Sequence, residues 1–460
     1  MRDRKPGRNV SFRVDKKAAL LALAAVCLLA YALLFGRYRI EEVDDAWYLS
    51  YFYNKYVHGS GEDIAFADTA KANFFMAAQI AINGPLLSYF GWSKAVIHTI
   101  NLAWMALAAA SWWAIGGKVL GGGWKTRLVF VALLFASEAM IGAAYKARSD
   151  AMAFALASGA ILLYAWDWPF LAGFLLLVGF ETHPIALVGA VYLIGLAAHS
   201  FVQTRDGRAL LRRAVLGGVG ALCGVGYYFL LHRVSPAELI AFLRNDAGAG
   251  VNPLYSHFFL RAGMRFVPEL GVVLLAFVIA VTKRDVFVRR PSFLLFGVVT
   301  LSSLLMTRGN FHYAIFYYPA LVLLVVDVAN TMRWRTFLAL GAALYFLAFH
   351  GALLYRNRHI DEAELQSSYR ALAGKIAPDK LVFGPPNAWF ALKEQYRYPT
   401  RSRWVESYRG GAYLIVNDAN PPPADFLACV SPRQAWRDQG GFRYAGQAIE
   451  LYEVEFRGCR

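Results

Sequence analysis

The sequence predicts a polytopic α-helical membrane protein of about eleven transmembrane helices, followed by a soluble α/β domain. The 460-residue chain is 58% hydrophobic and only 17% charged, and its mean hydropathy is +0.40. Its apolar runs recur at lengths near the roughly 20 residues that a helix needs to cross a bilayer. After residue 355 the hydropathy falls, and short alternating segments replace the long apolar runs.

The net charge of +16 is explained by membrane topology rather than by nucleic-acid binding. Lys and Arg collect in short loops between the apolar runs, as the positive-inside rule expects of cytoplasmic loops. The basic segment 1–17 therefore predicts a cytoplasmic amino terminus. No cleavage site follows the apolar run 18–35, which predicts an uncleaved anchor. An odd number of spans then puts the carboxyl end on the outer side.

The chain divides into three parts on this topology. They are the cytoplasmic segment 1–17, a membrane module at 18–355 and a periplasmic α/β domain at 356–460. Within the module, we expect long outer loops at 37–94 and 232–266. In the last part, helices are predicted at 361–376 and 423–430, and strands at 380–383, 412–416 and 441–456.

The apolar run 74–89 is interrupted by Asn83-Gly84-Pro85. These residue types disfavour a regular helix at membrane depth. We therefore predict an interfacial or bent segment here and place the returning helix near 95–115.

The four cysteines indicate no zinc site, because none has a cysteine or histidine partner at a metal-binding spacing. Cys27 and Cys223 fall in apolar runs and are expected to be packing residues. Cys429 and Cys459 lie in the polar carboxyl-terminal part, where an oxidising compartment permits either a disulfide or two thiols.

The segment 37–48, RYRIEEVDDAWY, places four carboxylates just beyond the first apolar run and closes with two aromatics. An acidic pair beside an aromatic can give a membrane enzyme a base at the lipid–water boundary. The alternative is a solvated helix end without a catalytic role.

The predicted topology gathers further ionisable side chains at the same outer boundary. Together the set is Asp44, Asp45, Lys71, Lys146, Arg148, Asp150, His183, Arg308 and His312. Acidic clusters ringed by cations suit a reaction that deprotonates a nucleophile and releases an anionic leaving group. The pattern predicts group transfer from a lipid phosphate.

Six segments in chain order resemble the motifs of GT-C glycosyltransferases, within the branch of protein O-mannosyltransferases and lipid A aminoarabinose transferases. They are DDAWY (44–48), KANFF (71–75), FGWSKAV (90–96), ARSDAM (147–152), ETHPIAL (181–187) and NFHYAIFYYPALVLL (310–324). The resemblance covers most of the spanning region, and the carboxyl-terminal domain is only generically similar. Ala72 and Asn73 depart from the pattern, since the family usually has two prolines there.

The resemblance implies an inverting transfer of a sugar, a hexose or a pentose, from a polyprenyl-phosphate donor to a lipid, glycan or protein acceptor. Asp44 takes the place of the catalytic base, Asp45 holds the acceptor or the base, and Asp150 orients the acceptor or the sugar. Lys71 and Arg148 are implied to bind the donor phosphate. The other substrate-binding candidates are Tyr48, Lys146, His183, Arg308 and His312. No cofactor is required, and a divalent metal ion is compatible with the family pattern.

Two other functions remain open at this stage, a lipid-linked sugar transporter or flippase and a non-catalytic assembly subunit. Transporters usually show paired halves with charges near the midplane. The charges here are expected at one face, which favours an interfacial enzyme. The predicted outer segments contain no Asn-x-Ser/Thr sequon, which favours a bacterial inner membrane.

Overall fold

The computed structural model describes most of the membrane module and of the carboxyl-terminal domain, residues 356–460, which we call the outer domain after its predicted position. The described residues are 43–59, 65–66, 74–121, 123–247, 267–303, 313–400, 405–406, 408–417, 421–436, 443–444 and 447–456. The predictions for the segment 1–17, the anchor 18–35, Lys71, Arg308, His312, Cys27 and Cys459 lie outside the described residues.

The described part of the membrane module is helical almost throughout. In chain order its helices are α1 Val43–Val57, α2 Ala77–Phe90, α3 Lys94–Val119, α4 Trp124–Phe135, α5 Glu138–Tyr145, α6 Asp150–Ala165, α7 Pro169–Thr182, α8 Val188–Thr204, α9 Gly207–His232, α10 Pro236–Ala247, α11 Val267–Thr282, α12 Arg284–Phe287, α13 Pro291–Ser303, α14 Ala314–Thr331 and α15 Arg335–Arg356. A 3-10 turn, Pro184–Leu187, leads into α8.

Five helices within the described ranges are long and apolar enough to cross a membrane. They are α3, α8 with its preceding turn, α9, α14 and α15. The pair α4 and α5, bent by 63° at its break, qualifies as a sixth span, and α6, α7, α11 and α13 are shorter apolar helices. Each predicted span in the described residues overlaps one of these helices. The polytopic helical class is confirmed, and the number eleven stays a prediction.

Asn83-Gly84-Pro85 does not break the helix, because α2 continues through all three residues. The interfacial or bent position of this segment stays a prediction, and the returning helix predicted near 95–115 corresponds to α3. A Cβ added at Gly84 would lie 2.4 Å from Cδ2 of Tyr56, so the missing side chain lets α1 approach α2. Pro85 lacks a backbone N–H and removes one helical hydrogen bond.

Helix α14 forms the centre of the bundle, and nearly all of its residues are buried. It contains Pro319, which cannot donate a backbone hydrogen bond. The Tyr192 hydroxyl of α8 lies beside this site, where it donates to the Phe316 carbonyl at 3.0 Å and accepts from the Ala320 N–H at 3.1 Å. A neighbouring helix thus supplies polar partners around the proline.

Helices α7 and α9 approach each other through small residues. A Cβ at Gly173 would lie 2.1 Å from the Gly217 carbonyl oxygen, and one at Gly220 would lie 1.9 Å from the Phe170 carbonyl oxygen. Small residues permit close backbone packing where helices have no hydrophobic driving force in lipid.

Residues 362–456 contain a mixed sheet flanked by short helices. The elements are α16 Glu362–Ala373, β1 Val382–Phe383, α17 Trp389–Leu392, β2 Tyr396–Arg397, β3 Gly410–Asn417, α18 Ala424–Leu427, β4 Val430–Trp436, β5 Arg443–Tyr444 and β6 Gln447–Phe456. The strand order is β2-β1-β3-β6-β4, with β5 also paired to β6. Strand β1 runs parallel to β2 and β3, whereas β6 is antiparallel to β3, β4 and β5. Cys429 is disulfide-bonded, and its partner lies outside the described residues.

The outer domain packs directly on the membrane module. The rings of Tyr53 and Trp389 lie 6.0 Å apart, and Lys393 Nζ donates to the Trp92 carbonyl at 2.6 Å. These contacts belong to a hydrophobic cluster that joins α1 and α2 to α16 and α17. The outer domain therefore lies beside α1 and the start of α3.

Candidate active site

The acidic pair lies in the first turn of α1, where the positive end of the helix dipole favours carboxylates. Asp45 is fully buried, whereas the side chain of Asp44 is 37% exposed. Successive residues on a helix point about 100° apart. The two carboxylates consequently have different surroundings.

Arg148 bridges Asp44 and the second acidic cluster. Its Nη1 donates to Oδ2 of Asp44 at 2.5 Å, and its Nε donates to Oδ2 of Asp150 at 2.7 Å. Arg148 and Asp150 are both buried. Burial alone would lower the pKa of Arg148, but the neighbouring Asp150, Tyr48 and Asp44 raise it well above its ordinary value. The guanidinium is a fixed cation between two carboxylates.

Tyr48 packs one helical turn beyond Asp44 on the same face of α1. Its ring centroid lies 5.5 Å from Cζ of Arg148. Burial raises the pKa of its hydroxyl well above the ordinary value, so Tyr48 stays neutral. Tyr48 thus contributes a ring face that supports the guanidinium.

Asp45 makes its contacts within the protein. Its Oδ1 accepts a hydrogen bond from the Ala147 N–H at 2.9 Å, and its Oδ2 lies 3.2 Å from Nζ of Lys94. The same Nζ lies 3.0 Å from Oε1 of Glu362, in the outer domain. Of the two roles expected for Asp45, this arrangement suits holding the site together more than contacting an acceptor.

His183 lies on the far side of Asp150. Its Nδ1 accepts from the Ile185 N–H at 3.3 Å, so the ring proton is on Nε2 in the neutral form. Nε2 lies 3.8 Å from Oδ1 of Asp150. The ring of Tyr313 lies 5.2 Å from the His183 ring and brings the start of α14 to the site.

Glu181 begins the motif ETHPIAL and caps helix α2. Its carboxylate accepts from the N–H groups of Ala77 at 2.6 Å and Ala78 at 3.1 Å. His232 Nε2 lies 2.8 Å from the same carboxylate. Glu181 is fully buried and ties together α7, α2 and the end of α9.

Lys146 is buried at the end of α5, and its carbonyl accepts from Nδ2 of Asn101 at 2.5 Å. The loop that carries Lys146 and Arg148 is therefore held from two sides, by Asn101 and by Asp45. This loop leads directly into α6, which begins with Asp150.

The described residues thus bring together Asp44, Asp45, Tyr48, Lys146, Arg148, Asp150 and His183. Sequence reasoning missed Lys94, Glu181, His232, Tyr313 and Glu362. One signal was present for Lys94, which directly follows the N-cap Ser93, because a cation at a helix amino terminus is unfavourable unless it is paired. In the described ranges, no group of three or more His, Cys, Asp or Glu residues could hold a metal ion.

Chemically, Asp44 is suited to accept a proton. Among the described residues it is paired with Arg148 through Oδ2, which leaves Oδ1 available. The nearby guanidinium could stabilise negative charge that develops on a leaving group. The site therefore combines a partly exposed carboxylate with a cation at the boundary of the bundle.

No protein-family model matches the sequence, and no curated protein matches it. Solved structures do match. The crystal structure of ArnT from Cupriavidus metallidurans bound to undecaprenyl phosphate has a TM-score of 0.66 at 14% identity, covering 95% of this chain and 98% of that chain. The apo structure of the same ArnT has a TM-score of 0.63 at 14% identity, with the same coverage. The chain shares the fold of ArnT, a GT-C lipid A aminoarabinose transferase, and the resemblance predicted from the motifs is confirmed for the fold.

Proposed function

We propose that this chain is a GT-C glycosyltransferase of a bacterial inner membrane. It transfers a sugar from a polyprenyl-phosphate donor to an acceptor on a lipid, a glycan or a protein at the periplasmic face. The observation that carries the proposal is the partly exposed Asp44 bound to Arg148 at one end of the bundle. The shared fold supports it, because the ArnT structure binds undecaprenyl phosphate.

In the proposed reaction, Asp44 takes a proton from the acceptor as that group attacks the anomeric carbon. The bond between this carbon and the phosphate oxygen breaks on the opposite face, and the configuration inverts. Arg148 and Lys71 stabilise the departing phosphate, and Asp150 holds Arg148 in place. Loss of one such stabilising donor commonly costs about 2.7–4 kcal/mol of barrier.

The positions of the charged groups favour an enzyme over a transporter. Asp44, Arg148, Asp150 and Lys94 all lie at one end of the bundle. A transporter usually binds its substrate near the membrane midplane, between repeated halves. An interfacial position suits a reaction between a lipid-linked donor and an acceptor outside the membrane.

Mass spectrometry of lipids, polysaccharides and proteins from cells tests the proposal. The samples compare wild type, Asp44→Asn and a deletion. Loss of the same sugar modification from the mutant and the deletion supports the transferase and identifies the acceptor. Asp167→Asn is a suitable control, because this exposed residue pairs with Arg213 at the opposite end of α6. An Asp44→Asn profile identical to wild type would contradict the assignment of the base.

A further inference from the structure

A buried chain of charges connects the outer domain to the acidic pair of α1. We infer that Glu362 and Lys94 are positioning residues for the transfer reaction. The inference rests on the proposed function and extends it, because it makes the outer domain part of the catalytic geometry. Neither residue is proposed to contact the donor or the acceptor.

Lys94 occupies a position that disfavours a cation. It is the first residue of α3, after the N-cap Ser93, and it is buried. The positive end of the helix dipole and the loss of water both oppose a charged lysine there. A lysine with only a packing role would extend its ammonium toward water. Instead, its Nζ lies between carboxylate oxygens of Asp45 and Glu362, at 3.2 and 3.0 Å.

Glu362 is held on the outer-domain side of this contact. It is buried, and its Oε1 accepts from Nε2 of Gln366 at 3.2 Å and from Nδ2 of Asn387 at 3.5 Å. Asn387 is itself fully buried. Asp361, the preceding residue, caps α16 through the N–H of Ala363 at 2.9 Å. The carboxylate is therefore oriented by its own domain toward Lys94.

Asp45 carries the connection into the site. Its Oδ1 accepts a hydrogen bond from the N–H of Ala147, the residue before Arg148. Asp44 directly precedes Asp45 in α1. A shift of Asp45 would move both members of the Asp44 and Arg148 pair. In reactions that depend on such alignment, a displacement of about 1 Å can lower the rate by about 10²-fold.

The signs of the charges predict how substitutions combine. Removing Lys94 takes away the cation that lies between Asp45 and Glu362, and like charges in a buried space repel. Neutralising Glu362 relieves that repulsion. Lys94→Met should therefore be the more damaging single change, and Glu362→Gln should partly restore the Lys94→Met protein. Residues that act through one contact are expected to be non-additive in this way.

The test uses the full chain in lipid nanodiscs, with polyprenyl-phosphate-linked sugars extracted from bacterial membranes as titrated donor. We expect Lys94→Met to lower kcat by about 10²-fold and Glu362→Gln by about tenfold, through misalignment. The apparent KM for donor should change by less than about threefold, because neither residue binds it. Lys94→Arg, which retains the charge, should recover most of the rate. Glu364→Gln is the matched control, an exposed residue two positions along α16.

Hydrogen exchange of residues 145–149 supplies a readout that does not depend on transfer. The Ala147 amide should exchange faster in Lys94→Met than in wild type and should be unchanged in Glu364→Gln. If wild type transfers no sugar but this exchange pattern appears, the proposed function fails and the structural connection stands. The inference would be overturned if Lys94→Met had the same kcat and the same Ala147 exchange rate as wild type. The inference would also be overturned if Lys94→Met only lowered the yield of folded protein and the added Glu362→Gln substitution restored no activity.

Discussion

Nη1 of Arg148 lies 2.5 Å from Oδ2 of Asp44, although 104 residues separate the two in the chain. The planar guanidinium has several donors in a fixed arrangement, which lets Arg148 contact Asp150 at the same time. One cation thereby holds two carboxylates at one end of the bundle. In the proposed reaction, this geometry holds Asp44 in place and directs it toward the acceptor.

Arg148→Lys should separate the charge of this side chain from its geometry. Lysine keeps the positive charge but cannot donate to both carboxylates from a planar group. We expect kcat/KM of Arg148→Lys to fall by about 10²- to 10³-fold. The variant should still fold. Arg148→Met should also reduce thermal stability, because Oδ2 of the buried Asp150 loses the guanidinium that it contacts. Equal activity of Arg148→Lys and wild type would show that charge alone suffices.

Glu181 is expected to stabilise the start of α2. Glu181→Ala removes a carboxylate that accepts from two helix N–H groups and pairs with His232. The loss of the cap alone should cost about 1 kcal/mol, and the polar groups that lose the carboxylate as a partner should add to it. Glu181→Gln should be milder, because its amide oxygen can still accept. Thermal unfolding in detergent measures both variants, and a Glu181→Ala protein as stable as wild type would contradict the role of the cap.

Some of this site could be predicted from the sequence, and some could not. Asp44 follows an apolar run and Arg148 lies between two apolar runs, so the topology alone predicts that both lie at the same membrane boundary. The contact between Glu362 and Lys94 depends on how the outer domain packs against α3, which no local pattern reports. At Gly84, a local rule gave the wrong result, since close packing against Tyr56 takes precedence over the tendency of Asn-Gly-Pro to break a helix. The six motif resemblances together predicted the GT-C fold, which the solved ArnT structures share.

Lys393 should make the free energy of unfolding depend on pH. Burial lowers the pKa of this lysine to about 7, although the neighbouring Glu394 acts in the opposite direction. In the unfolded chain a lysine stays protonated up to about pH 10.4. Between these values the unfolded state binds more protons, so the stability of the folded state rises with pH.

The measurement for Lys393 compares the thermal unfolding of wild type and Lys393→Met between pH 7 and 10. Wild type should gain stability with increasing pH relative to the variant, which lacks the titrating group. Nζ of Lys393 lies 3.9 Å from the ring centroid of Trp389, and methionine retains an apolar stem beside that ring. Parallel pH profiles for the two proteins would contradict the prediction.

Gly220 allows α9 to approach α7. A Cβ at this position would lie 1.9 Å from the Phe170 carbonyl oxygen, and a backbone atom cannot move aside as a side chain can. Gly220→Ala should therefore destabilise the protein by about 1–3 kcal/mol, as overpacking usually does. Gly218→Ala is the matched control, because a Cβ there meets no atom within 4 Å. Denaturant unfolding that shows equal effects of the two substitutions would rule out the close contact.

The central claim is that Asp44 acts as the base of a sugar transfer. The most direct measurement follows product formation and donor binding together, with purified full chain in nanodiscs and polyprenyl-phosphate-linked sugars extracted from bacterial membranes. We predict that Asp44→Asn binds the donor as wild type does but loses transfer by about 10²- to 10⁴-fold, the usual contribution of a general base. Wild-type transfer by Asp44→Asn, or movement of the donor across the bilayer with no transfer by either protein, would contradict the account.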